Sequence, residues 1–194
     1  MKKNELILIG GGGHCRSCID VIEQENKYTI AGIVDTKENL GLKLAVYPYI
    51  ATDDDLPNLV KQYNFFLIAI GHIKSPEPRI KLFNLLKKLG AKLPVVISPY
   101  SYVSKNAQIN AGTVIMHHAL INAGTVIGAN CIINSKALIE HDAVIEDHCH
   151  ISTGAIINGG VRVGHSSFVG SGAITKQYVL IPPQSFVKAN SLYQ

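Results

Sequence analysis

The sequence predicts a small α/β domain joined to a parallel β-helix, and three observations carry that prediction. An aliphatic residue recurs at every sixth position through Val103, Ile109, Ile115, Ile121, Ile127, Ile133, Ile139, Ile145, Ile151, Ile157, Val163 and Val169. Two residues ahead of each following member runs a second, mostly small series: Ala107, Thr113, Ala119, Thr125, Cys131, Ala137, Ala143, Cys149, Ala155, Val161, Ser167 and Ala173. Before the repeats, short apolar runs alternate with a glycine cluster and helix-like segments.

A period of six matches neither a helical stripe nor plain strand alternation, but it suits two-residue strands joined by turns, one hexad to each face of a prism. Three hexads complete a coil, so residues eighteen apart stack at about the 4.8 Å spacing of neighbouring strands. Ile115, Ile133 and Ile151 then form one interior column, and the twelve hexads give four coils. The β-branched side chains fit a pleated wall. Cys131 and Cys149 fall eighteen apart in the small-residue series, which makes them packed thiols. Pro182 and Pro183 cannot extend a central strand and are expected to close the last coil.

The N-terminal half is expected to be a separate domain over 1–99, with the coils over 100–194. Residues 5–9 form a buried strand, Gly10–Gly13 a turn, and a helix runs from about His14 to Glu25. Further strands are expected at 30–34, ending at Asp35, and at 65–70, ending at Gly71, with a helix at 78–89. Val95–Ile97 reads as the last strand and Ser98-Pro99 as the linker. This alternation indicates a small, open, Rossmann-like parallel sheet.

Glycines after a strand let backbone approach a diphosphate, with the helix N-terminus offering N–H groups. The dinucleotide fingerprint itself fails, because Cys15 or Arg16 stands where the third glycine belongs. Cys15 and Cys18 make a C-x-x-C at a helix start, where a redox-active thiolate is one reading and a packed helix face the other.

The chain is 47% hydrophobic and 16% charged, ample for a buried core. Its net charge of +4 is scattered instead of gathered into a stripe, which disfavours nucleic acid. Thirteen of the eighteen Lys and Arg residues precede residue 100, a balance that suits a phosphorylated small molecule. The apolar run Phe65–Ile70 is too short to cross a bilayer and Leu6–Ile9 too short for a signal core, so a cytoplasmic protein with reduced thiols is expected.

Gly10-Gly-Gly-Gly-His14, the strand ending at Asp35, Ala69-Ile-Gly71 and the coils carrying Ile139-Glu-His141-Asp together resemble the bacterial sugar O- and N-acetyltransferases of sialic acid, bacillosamine and perosamine pathways. The resemblance covers nearly the whole chain. It implies that the β-helix is left-handed, that the protein is a homotrimer with sites between neighbouring prisms, and that acetyl-CoA is the cosubstrate. It also implies that His141 is the catalytic base, that Asp142 raises its basicity, and that Asn134 and His150 contact acetyl-CoA. On the N-terminal side it implicates Gly12, Gly13 and His14 with the nucleotide sugar, Asp35 and Thr36 near the base, and Gly71 beside the sugar. The bacillosamine-type enzymes carry paired aspartates where this chain has Asp35-Thr36. Family members commonly end in a Val-x-Gly-x-Pro-Ala segment near the CoA arm where this chain has Val187-Lys-Ala-Asn-Ser.

The implied reaction is N-acetylation of a 4-amino-4,6-dideoxy sugar nucleotide in surface glycan synthesis, by direct transfer without an acyl-enzyme. Such transfer needs a base for the attacking amine and donors for the oxyanion. His141 suits the first task because Glu140 and Asp142 flank it on a turn. Backbone N–H groups around Gly159 and the Gly170-Ser171-Gly172 turn suit the thioester and CoA. His72, His118 and His165 read as solvated or satisfied side chains. The alternatives are sialic acid-type O-acetylation, a zinc site of the carbonic anhydrase kind using His117, His141, His148 and His150, and a non-catalytic sugar-nucleotide-binding protein. Zinc is disfavoured by the spacing of those histidines, and no metal is expected.

Overall fold

A computed structural model describes residues 3–194. The N-terminal sheet contains β1 (Asn4–Ile9), β2 (Tyr28–Val34), β3 (Lys43–Leu44), β4 (Tyr47–Ala51) and β5 (Phe65–Ile68), in the order β3-β4-β2-β1-β5. Four strands run parallel, and the two-residue β3 is antiparallel to β4 at the edge. Helix α1 (Gly13–Glu25) returns the chain from β1 to β2 across one face of the sheet, and α2 (Leu56–Leu59) and α3 (Glu77–Lys88) cover the other face. The strands and helices expected from sequence are present within a residue or two, whereas β3, β4 and α2 were not anticipated. The central β1 leads to β2 on one side and pairs with β5 on the other. The crevice between the ends of β1 and β5 is therefore the place where an open parallel sheet accepts a ligand.

From Val96 onward the chain winds through seventeen two-residue strands, Val96–Ile97 to Leu192–Tyr193, in three parallel sheets. In each pair the first residue faces out and the second fills the prism. Ile115, Ile121, Ile127, Ile133, Ile139, Ile145, Ile151 and Ile157 are fully buried, with Ala137, Ala143, Ala155, Cys131 and Cys149 between them. The architecture is the left-handed β-helix of hexapeptide repeats. Val96–Ile97 is a correction: it pairs with Val114–Ile115 and is the first rung of the prism, not the last strand of the N-terminal sheet. The coils begin ahead of residue 100 and outnumber the four expected.

Pro182 and Pro183 do not close the helix, because rungs at Phe186–Val187 and Leu192–Tyr193 follow them. They occupy a turn. In the preceding coil Gly164 N–H donates to Ile181 O, whereas Leu180–Ile181 is the edge strand of its sheet among the described residues, a position where a following proline without an N–H breaks no ladder bond. Thr175 conceals the same continuation in sequence: it takes an interior position, and its Oγ1 accepts the Asn158 N–H at 2.9 Å.

The N-terminal domain sits on the first face of the prism. Cys15, Cys18, Ile19 and Ile22, at i, i+3, i+4 and i+7 along α1, pack with the outward Val96, Val114 and Ile132 and with Met116. This settles the C-x-x-C. Both cysteines are fully buried, and burial pushes their thiols up to about 12, the opposite of an activated thiolate. Two polar ties reinforce the docking. Arg79 of α3 donates to Ile68 O, Ile70 O, Asn130 O and Asn130 Oδ1. His117 bridges Ser98 Oγ at 2.6 Å and Asp20 Oδ2 at 2.8 Å.

Candidate active site

A cleft of about 790 Å³ opens where the Gly10–Gly13 turn and the end of β5 face the corner between the first and second prism faces. It brings together Gly13, His14 and Gly71 from one domain with Asn134, His150, Gly170 and Ser171 from the other. Gly10 and Gly11 serve the turn itself. Gly10 has φ +94° and lies under Ile70, and Gly11 N–H donates to Asp35 Oδ2 at 2.7 Å. Over Gly12 and Gly13 there is open space, so the exposed start of α1 is accessible to an anion.

Three imidazoles form the deep wall. A carbonyl oxygen can only accept, so His150 Nδ1 carries a proton and donates it to His72 O at 2.7 Å. His150 Nε2 then accepts from Asn134 Nδ2 at 3.2 Å, which joins the two residues expected at acetyl-CoA. Burial lowers His150 to about 4. Burial, then the Arg79 charge, lowers His14 to about 3. His72 also falls to about 3, through burial and then the neighbouring His150. The reading of His72 as solvated or satisfied is overturned: it is 7% exposed and neither ring nitrogen has a hydrogen-bond partner among the described residues. Beneath them Arg79 is buried without a carboxylate, which pulls it down to about 10 and leaves it charged at neutral pH.

His141 and Asp142 lie outside this cleft, at the corner between the second and third faces. Asp142 takes a left-handed backbone conformation, φ 59°. Its Oδ2 accepts from His141 Nδ1 at 2.9 Å, leaving the lone pair on Nε2. About half of the His141 side chain is exposed. Gly159, one coil below, underlies the imidazole: a Cβ there would stand 2.7 Å from His141 Nε2 and the ring would have to shift. Glu140 is engaged elsewhere, accepting from Asn122 Nδ2 at 2.9 Å, so of the two flanking acids it is Asp142 that holds the imidazole.

Asp35 and Thr36 line a separate hollow of about 310 Å³ with Thr52, Asp53 and Asp54. Both Asp35 oxygens accept backbone N–H groups, from Gly11 and Thr36 at 2.7 Å each. Gly172 is a left-handed corner residue against Asn190 and does not line the cleft. Sequence reasoning missed Phe168 and Phe186, stacked at 5.2 Å on the cleft floor. The signal was present: with His150 they occupy outward positions eighteen residues apart. It also missed Ser17, Ser152 and Ala189.

The histidines of the zinc alternative do not converge. Both His117 nitrogens are engaged, His148 Nδ1 meets Asn130 Nδ2 at 3.0 Å, and no group of His, Cys, Asp or Glu among the described residues is arranged to hold a metal ion. The Ser98-His117-Asp20 chain has the composition of a nucleophilic triad. Its serine is 1% exposed and accepts the Tyr100 N–H, so it acts as a docking tie. No helix among the described residues is long and apolar enough to cross a membrane.

Residues 5–86 match the PglD N-terminal domain and residues 124–159 the bacterial transferase hexapeptide repeats. The chain is similar to PerB from Caulobacter crescentus, solved with CoA and GDP-perosamine: 30% identity, TM-score 0.90, over 98% of this chain and 89% of that one. A mutant of perosamine N-acetyltransferase from the same organism, with the same two ligands, gives 29% identity and TM-score 0.92 over 98% and 89%. The acetyltransferase domain of PglB from Neisseria gonorrhoeae FA1090, solved with acetyl coenzyme A, gives 28% identity and TM-score 0.90 over 97% and 90%. No curated protein sequence matches the chain.

Proposed function

Because this chain belongs to the hexapeptide-repeat family of bacterial sugar acetyltransferases, we propose that it transfers acetyl from acetyl-CoA to the amine of a 4-amino-4,6-dideoxy sugar nucleotide, with His141 as general base. The observation that carries the proposal is the His141 corner. A half-exposed imidazole has its Nδ1 proton committed to Asp142 and its Nε2 seated over a glycine. The amine attacks the thioester carbonyl and Nε2 takes its proton. The Gly159 N–H, which donates to no protein group among the described residues, receives the oxyanion. Collapse of the intermediate breaks the C–S bond, and the imidazolium returns the proton to the leaving thiolate. The products are the N-acetyl sugar and CoA.

His141 and the cleft occupy opposite edges of the second prism face, and the outward residues of that face supply the missing geometry. Tyr102, Leu120, Leu138, Ile156, Ile174 and Leu192 form one apolar column, with Tyr102 60% and Leu192 61% exposed. Three prisms that turn this column toward a threefold axis cover it. In that arrangement the cleft edge of each prism lies beside the His141 edge of its neighbour. The active site is thus shared: Gly12, Gly13, His14, Gly71 and the Asp35-Thr36 hollow hold the sugar nucleotide, Asn134, His150, Gly170 and Ser171 hold the acyl donor, and the neighbour contributes His141, Asp142 and Gly159.

Complementation tests this. Thiol release is followed with acetyl-CoA and a panel containing GDP-perosamine and UDP-linked 4-amino sugars. His141→Ala lowers kcat by about 10² to 10⁴, and His150→Ala disables the cleft. Mixed assemblies of the two variants recover activity that neither shows alone, since an intact base then meets an intact cleft. His141→Ala turning over like wild type ends the assignment of the base. Mixtures that stay inactive although both variants exchange subunits end the shared site.

A further inference from the structure

We infer that Tyr178 is a binding residue for the pantetheine arm of the acyl donor, supplied to the cleft of one protomer by its neighbour. This deepens the proposed function and rests on its shared site.

The corner that carries His141 repeats every eighteen residues. One coil down it holds Gly159-Gly160, and two coils down Gln177-Tyr178. The second position of each corner pair is left-handed, with φ 59° at Asp142, 67° at Gly160 and 57° at Tyr178. A bulky aromatic residue is ill suited to that conformation, and Tyr178 is nevertheless 74% exposed, so no core packing compensates. The Cδ1–Cε1 edge of its ring instead abuts Gly160, where any Cβ would collide with both atoms. The two glycines therefore make a bare shelf, with the His141 imidazole over Gly159 and the Tyr178 ring against Gly160. The backbone ties the three levels together, through Gly160 N–H to His141 O and Tyr178 N–H to Gly159 O, each at 3.0 Å.

The level of Tyr178 along the prism names its ligand. Cleft residues on the opposite edge descend in the same steps: Asn134 on the His141 coil, Ser152 on the Gly159 coil, Gly170 and Ser171 on the Tyr178 coil, and Ala189 below. The upper coils of the first face are covered by α1, so the cleft runs downward from Asn134. A thioester at the height of His141 and Gly159 sends its arm past Ser152 toward Ser171. At about 4.8 Å per coil, Tyr178 stands roughly 10 Å below the base. That is the height of the pantetheine amides, which an aromatic face and the stacked Phe168 and Phe186 across the cleft would enclose.

The test compares wild type with Tyr178→Ala and Tyr178→Phe, using acetyl-CoA and the truncated donor S-acetyl-N-acetylcysteamine, which ends above the Tyr178 coil. Loss of the ring raises KM for acetyl-CoA about five- to tenfold. It leaves kcat and the acceptor KM within about twofold, and has no effect with the truncated donor. Tyr178→Phe restores most of the affinity, because the ring and not the hydroxyl makes the contact. Calorimetric titration with CoA needs no acceptor, so it reads Tyr178 even if every amino sugar in the panel proves wrong. An equal loss with both donors, a rise confined to the acceptor KM, or dissociation of the assembly by Tyr178→Ala at full CoA affinity per folded subunit would each overturn the inference.

Discussion

His141 stands at an outer corner of the prism with a carboxylate on Nδ1, whereas His14, His72 and His150 are packed between the prism and the N-terminal domain, where no acid lines their cleft. An exposed imidazole backed by a carboxylate can gain and lose a proton within a catalytic cycle. Imidazoles held at about 3 to 4 by burial stay neutral throughout, and His150 among them has its direction fixed, with Nδ1 donating to His72 O and Nε2 accepting from Asn134. The difference teaches that histidine content says little until each ring has been given its surroundings. On the proposed mechanism one corner moves the proton and the other wall positions the substrates.

Three measurements sharpen or break that division. The largest expected effect belongs to the buried wall. Arg79→Met removes the donors that hold Ile68 O, Ile70 O and Asn130 O and lowers stability by about 3 kcal/mol in urea unfolding. A loss below about 1 kcal/mol would mean that the wall does not depend on its buried cation. Next comes the seat of the base. Gly159→Ala adds a methyl 2.7 Å from His141 Nε2 and lowers kcat about tenfold, with stability changed by less than about 1 kcal/mol. Unchanged turnover would place the reacting imidazole somewhere else.

The smallest effect is a pH dependence. His14, His72 and His150 titrate lower in the folded chain than their ordinary 6.5, so between about 3 and 6.5 the unfolded chain binds more protons. Their contribution to stability is complete above about 6.5 and is lost as the pH falls toward 3 to 4. Thermal melting should therefore decline from pH 6.5 to 4, and His72→Phe should flatten the decline. A His72→Phe curve parallel to wild type would show that His72 is not held neutral.

Much of the prism was legible because its interior is chemically monotonous. Ile133 or Ala137 can be little else where a wall of aliphatics and small residues must stack every eighteen positions. The corners were not legible, although they repeat as strictly. Gly124, Asn130, Lys136, Asp142, His148 and Gly154 all take positive φ, and the shared property is an angle that no single residue type announces. The candidate site divided in the same way. Its glycines and the His141-Asp142 pair could be named from motif, while Phe168 and Phe186 depend on which outward positions the docked domain leaves uncovered, and His72 on how that domain docks.

The stacked coils also act as a ruler with divisions of one strand spacing. Both edges of the second face are cut from the same divisions, so in the proposed shared site the height of the donor groove against a neighbour's His141 follows from the winding and from how the prisms stand side by side, not from the seating of the docked domain. The proposed acceptor site has no such guarantee: its height is set by how α1 and the Arg79 clamp seat a separate body on the upper coils. Change of sugar preference can therefore proceed by re-seating that body, while the acyl-transfer gauge stays as it is.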